Sequence, residues 1–150
     1  MNGWVKYLSL RLREFFRDYF TGRNDFDSTY FLEDWESKYG KLHDPSPEEI
    51  FHRISFLIPT GETICELGAG YGRVAQHFTN SHNLILVEPD KKLCQILTEK
   101  IPNSEIINGN CLSVAEIDSD FFFSVRALEY ASILELFRMF KILKKKATVL

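Results

Sequence analysis

Between residue 46 and the end of the chain, short apolar runs alternate with segments that read as helices. Strands are expected at Thr63–Leu67, 84–88, 105–107 and 121–125, and a fifth begins at 147–150. These runs lack the polar alternation of a half-exposed strand, so both faces should be covered. Ser46, Pro47 and Glu49 form a strong helix start: an N-cap, a proline in the first turn and the acid of a capping box. That helix should reach about residue 58, before Pro59, Thr60 and Gly61 turn the chain into the first strand. Further helices are expected from Val74 to Phe78, from the Asp90 cap to Lys100 with Pro102 ending it, and over 133–143. Strand and helix in alternation imply an α/β fold with a parallel sheet, its ligand at the carboxyl ends of the strands.

The first 45 residues follow another pattern. Trp4, Leu8, Leu12, Phe15, Phe16 and Tyr19 recur at helical spacing, with Lys6, Arg13 and Arg17 largely off the stripe. Such a helix packs on its domain or on another subunit; the alternative is a peripheral membrane contact through residues 4–20. Residues 22–27 read as a loop, and a second helix spans 28–39, capped by Ser28 and ended by Gly40. The expected organisation is an N-terminal helical extension, 1–45, and one α/β domain, 46–150.

Composition narrows the picture. A hydrophobic content of 45% and a charged content of 26% suit a soluble globular chain of 150 residues with a real core. A net charge of −3 gives no pull toward nucleic acid. Cys65, Cys94 and Cys111 show no C-x-x-C spacing and read as reduced thiols of a cytoplasmic protein. The histidines lack i, i+4 pairing, so no metal site is expected. No apolar run approaches the ~20 residues of a membrane span, and the charged residues from Lys6 to Arg17 interrupt any signal peptide.

The chemistry lies in residues 63–74. An apolar run ends in Glu66, and Gly68, Gly70 and Gly72 follow at every second position. Glycines there permit positive φ and let a ligand approach the backbone closely. A second run, Leu84 to Val87, ends in Glu88, an acid at the tip of the next strand that can accept hydrogen bonds from two ribose hydroxyls. An adenosine-containing ligand is the leading reading. Two glycine frames stay open. From Gly68 the dinucleotide pattern meets Arg73 where a small residue belongs; from Gly70 the looser form ending in Ala75 fits, so a nicotinamide cofactor is not excluded. Glu66 tips the balance, because a carboxylate repels a pyrophosphate and attracts an amino-acid ammonium.

Glu66 through Arg73 resembles the first motif of class I S-adenosylmethionine-dependent methyltransferases. The stretch from Leu86 to Asp90 is similar to their second motif, and Ile106 to Cys111 to the loop after their third strand. The resemblance covers roughly residues 47–150. It implies a three-layer Rossmann-like fold, sheet order 3-2-1-4-5, that is short at its C-terminus. An exposed fifth strand would then favour a homodimer. It implies S-adenosylmethionine as cofactor, held by Glu66, Gly68, Gly70, Gly72, Glu88, Asn110 and Cys111. Asn110 stands where relatives carry an aspartate for the adenine amine, and the Cys111 backbone N–H can meet the ring. Tyr71 and Arg73 would flank the methionine end. Arg126, Glu129 and Tyr130 follow strand four, where the methyl acceptor sits. Lys144, Lys145 and Lys146 replace the Pro-Gly-Gly that many relatives place before strand five. No nucleic-acid amino-methylation motif follows strand four, which points to a small-molecule, sugar or lipid acceptor. The different-class alternative is a non-catalytic cofactor-binding or partner subunit, or a methyltransferase fragment.

Overall fold

A computed structural model describes residues 46–146. The helices expected in 1–45, the membrane and dimer contacts tied to them and to strand five, and residues 147–150 themselves lie outside the described residues. Within them the order is α1 (Pro47–Ser55), β1 (Thr63–Leu67), a 3-10 turn (Ala75–His77), β2 (Asn83–Glu88), α2 (Lys91–Lys100), β3 (Glu105–Asn108), a 3-10 turn (Cys111–Ala115), β4 (Phe121–Phe123), a 3-10 turn (Leu128–Tyr130) and α3 (Ile133–Lys146).

The four strands form one parallel sheet, order β3-β2-β1-β4. The central pair is in register from Thr63 opposite Asn83 to Leu67 opposite Val87. Side chains alternate across the sheet. Ile64, Leu84 and Leu86 face one layer, where Phe78, Leu97 and Ile101 bury with α1 packed alongside. Cys65, Leu67, Ile85 and Val87 face the other, with Val114, Ile117 and Met139 of α3. The same alternation turns Glu66 and Glu88 toward the α1–α2 layer, at the carboxyl ends of adjacent strands. Two covered faces explain the unbroken apolar runs.

Caps set the helix starts. Ser46 Oγ accepts from the Glu49 N–H at 3.1 Å, and Glu49 Oε2 accepts from the Ser46 N–H at 2.8 Å. Asp90 Oδ1 accepts from the amides of Lys92 and Leu93. Asp120 Oδ2 accepts from the Thr63 N–H at 2.8 Å and pins the start of β4 to β1. The last turn of α3 carries Lys144, Lys145 and Lys146, which complement the negative helix end.

Four expectations change. The helix expected at 74–78 is a single 3-10 turn: Val74 caps nothing with its side chain, and few residues separate it from β2. Phe78 is fully buried and meets Phe51 edge-on at 4.8 Å, anchoring that short connection. α1 stops at Ser55, so Phe56 and Leu57 stand exposed. β4 ends at Phe123 rather than Val125, because Ser124 turns its hydroxyl onto the Leu67 carbonyl at 2.8 Å. α3 runs through the lysines instead of ending at 143, its outer face exposing Leu134, Phe137 and Phe140.

Candidate functional site

The carboxyl ends of β1, β2 and β4 and the loop after β3 enclose a cavity of about 510 Å³. The glycine loop forms its floor. The amides of Gly68 and Ala69 both donate to the Val87 carbonyl, at 2.8 and 3.1 Å, folding the loop across the tip of β2. Gly68, Gly70 and Gly72 all take positive φ, at 74°, 59° and 76°. Their roles then diverge. A Cβ on Gly70 would meet open space; this is the glycine whose backbone faces the cavity without competition. A Cβ on Gly68 would stand 2.1 Å from that of Ala127, so Gly68 makes room for the loop after β4. A Cβ on Gly72 would press on Ile101 and Leu97 at 2.8 and 2.9 Å. Gly72 does not line the cavity; it lets the loop settle against α2.

Five acids line the cavity, and two of them are buried, Glu66 3% and Glu88 2% exposed. Glu88 is well served: Oε2 accepts from the Gly70 N–H at 2.8 Å and Oε1 from the Asp90 N–H at 3.0 Å. Burial raises its pKa, and those two amides pull against the rise. Glu66 is less well served. Burial pushes its carboxyl up to about 8; a hydrogen bond from the Ala75 amide and the nearby Arg73 oppose this, and Glu88 adds to it. Glu66 Oε2 has no hydrogen-bond partner at all. A buried carboxylate oxygen without a donor is a costly arrangement in a fold that satisfies nearly all its polar groups. It fits a ligand that brings a donor, best of all a cationic one.

The far end of the cavity is shaped by Gly109, Asn110 and Cys111. Asn110 Oδ1 accepts from the Leu112 N–H at 2.9 Å, so the amide oxygen expected to face adenine caps the following turn. The Cys111 thiol is raised by burial first and by Glu135 second, which keeps it protonated and unreactive. Cys65, in the sheet, is pushed up to about 12, chiefly by burial. All three cysteines are free thiols.

The opposite wall runs from Val125 to Ala131, with Glu135 behind it. Arg126 adopts a left-handed conformation, φ 57°, uncommon for a side chain larger than asparagine and a frequent sign of a shaped site. Arg126, Glu129, Tyr130, Tyr71 and Arg73 all line the cavity, so every candidate residue except Gly72 meets there. Sequence reasoning missed two supports. Ser124 ties the β4 end to the glycine loop, and Asn108 donates to the carbonyls of Glu88 and Pro89. An asparagine closing a strand, where that residue type is disfavoured, was the available signal.

The chain has the Rossmann-like fold of the class I S-adenosylmethionine-dependent methyltransferases, with the acid–glycine loop at the end of its first strand. No protein-family model matches it. An uncharacterised methyltransferase of Exiguobacterium sibiricum is 31% identical over 106 residues, covering 65% of this chain and 50% of its own length. The chain thus spans about half the length of that curated relative. Among solved structures, a TehB-like S-adenosylmethionine-dependent methyltransferase from Corynebacterium glutamicum superposes with a TM-score of 0.54 at 21% identity, over 65% of this chain and 54% of its own. A putative methyltransferase from an antibiotic biosynthesis pathway of Anabaena variabilis gives 0.53 at 27%, over 65% and 40%.

Proposed function

We propose that this chain binds S-adenosylmethionine in the cavity at the strand ends and serves as a methyltransferase for a small-molecule, sugar or lipid acceptor. The observation that carries the reading is Glu66, a residue lining the cavity whose buried Oε2 has no hydrogen-bond partner. The ammonium of the cofactor's methionine end supplies the missing donor. A dinucleotide's pyrophosphate would bring a second negative charge to the same spot and be repelled.

The other residues fall into line with that reading. Glu88 has two oxygens already steadied by amides, each with a further lone pair for a ribose hydroxyl. The backbone of Gly70 gives the ligand close approach. Asn110 and Cys111 border the adenine end, through loop backbone and the remaining lone pair of the Asn110 oxygen. Tyr71 and Arg73 flank the methionine end. When bound, the cofactor supplies an electrophilic methyl group on a sulfonium. The chain's task is then to hold an acceptor in line with it, and the wall from Val125 to Ala131 is the surface available for that. Positioning of this kind needs no catalytic constellation, and Glu129 and Arg126 are the polar groups that can orient an acceptor there.

Titration calorimetry with S-adenosylmethionine, S-adenosylhomocysteine and NAD tests the cofactor. Binding of the first two and not the third is expected; preference for NAD overturns the reading. A methyl-transfer screen with labelled cofactor and fractionated small molecules, glycans and lipids tests the acceptor class, and label appearing only in nucleic acid or protein would sink that part.

A further inference from the structure

Asn108 closes β3 opposite Glu88, on the edge of the sheet. Its side-chain Nδ2 donates to the Glu88 carbonyl at 3.0 Å and to the Pro89 carbonyl at 2.8 Å. Two more donors reach that first carbonyl: the Gly109 amide at 3.2 Å and the Cys94 thiol at 3.2 Å. Four hydrogen bonds thus tie down the strand-to-helix turn at Glu88 and Pro89. The turn in question carries both groups that aim the Glu88 carboxylate, the residue's own backbone and the Asp90 N–H that donates to Oε1. The remaining oxygen is held by Gly70, across the cavity floor.

We propose that Asn108 is a positioning residue for Glu88, and that through this clamp the cavity distinguishes a ribose from a deoxyribose. The proposal rests on the reading of the cavity as an S-adenosylmethionine site. Asn108 is not among the residues that line the cavity. It acts by fixing the backbone on either side of Pro89. A carboxylate three bonds from a loose backbone wanders by enough to spoil two simultaneous hydroxyl contacts, since hydrogen bonds weaken steeply with angle. A proline at position 89 restricts the turn but cannot set the carbonyl orientations by itself. The amide of Asn108 does.

The test compares S-adenosylhomocysteine with its 2′-deoxyribose analogue on the full chain, by calorimetry. The wild type is expected to prefer the ribose ligand about tenfold or more, the range for a hydrogen bond to a charged acceptor. In Asn108→Ala the preference should shrink at least threefold, through weaker binding of the ribose ligand while the deoxy analogue binds nearly as before. Asn108→Asp keeps the shape, turns a donor into an acceptor facing two carbonyls, and should lose as much. It carries the test alone if the alanine variant does not fold. Equal weakening of both ligands would mark Asn108 as a structural support only and overturn the proposal. A wild type that binds both ligands equally overturns it too. A wild type that binds neither instead removes the cofactor reading on which it stands.

Discussion

Replacing Glu66 by glutamine isolates the one buried acid among the described residues that has an unpartnered oxygen. In the ligand-free protein its pKa is pushed up to about 8 from the ordinary 4.5, mainly by burial. An acid with a raised folded pKa binds its proton more tightly in the native state than in the unfolded one. Between pH 4.5 and 8 the native state therefore holds about one proton more, and stability falls as pH rises, by about 1.4 kcal/mol per unit. The contribution is whole below pH 4.5 and gone above 8, a loss of roughly 4–5 kcal/mol across the window. Glu66→Gln removes the titration and keeps the shape. Urea melts at pH 5, 6, 7 and 8 should show the variant gaining on the wild type with each step, then a constant difference. Ligand binding should show the mirror image. At pH 7 Glu66 is about nine-tenths protonated by this arithmetic. A cofactor ammonium stabilises the carboxylate and expels the proton. Calorimetry with S-adenosylhomocysteine in buffers of different ionisation enthalpy should find close to one proton released by the wild type and much less by the variant. The variant should also bind at least tenfold more weakly at pH 8. Parallel stability slopes in the two proteins would show that Glu66 is already ionised without ligand, and the argument would fail.

Glu88→Ala should weaken S-adenosylhomocysteine by roughly 1–3 kcal/mol in a direct titration, because charged acceptors to two hydroxyls are lost and the Gly70 amide is released. Gly72→Ala should destabilise the fold by about 1–3 kcal/mol through overpacking against Leu97 and Ile101, with the affinity of the folded protein little changed. Gly68→Ala should cost more than about 2 kcal/mol in thermal melts, and Ala127→Gly in the same chain should restore part of it; no restoration would mean that the clash with the β4 loop is not the cause.

The sheet was legible because buried parallel strands announce themselves as unbroken apolar runs, and Thr63–Leu67 and Lys91–Lys100 fall where the runs and the Asp90 cap put them. The glycine loop was legible because three glycines at alternate positions after an acid mark backbone that must take positive φ, as all three do. What the sequence could not carry was the use of each glycine. Gly68, Gly70 and Gly72 look alike in a motif, yet only the positions of Ala127 and of Ile101, far along the chain, decide that one admits a loop, one faces the cavity and one seats a helix. The turn role of Asn110 was not legible either: its oxygen accepts from the Leu112 amide and caps the following turn while the residue lines the cavity. The short connection at Ala75–His77 was read as a helix because its apolar residues match a helical face; the single buried Phe78 satisfies the same pattern with one turn.

Glu66 and Glu88 differ in a way that separates folding from function. Both are buried at the tips of neighbouring strands, on the same face of the sheet. Glu88 has its burial partly offset within the fold, through an amide at each oxygen, and its removal would loosen the glycine loop. Glu66 lacks such a partner at Oε2. An apolar or amide side chain of the same size would serve the core better at neutral pH, because the carboxyl is kept at a cost that the Ala75 amide and Arg73 only partly offset. Stability alone gives no reason for such a group, and Glu66 lines the cavity in which a ligand would bring a donor. The two amides give Glu88 a part in holding the loop with or without a ligand; the unpartnered oxygen of Glu66 is what a ligand's donor would complete.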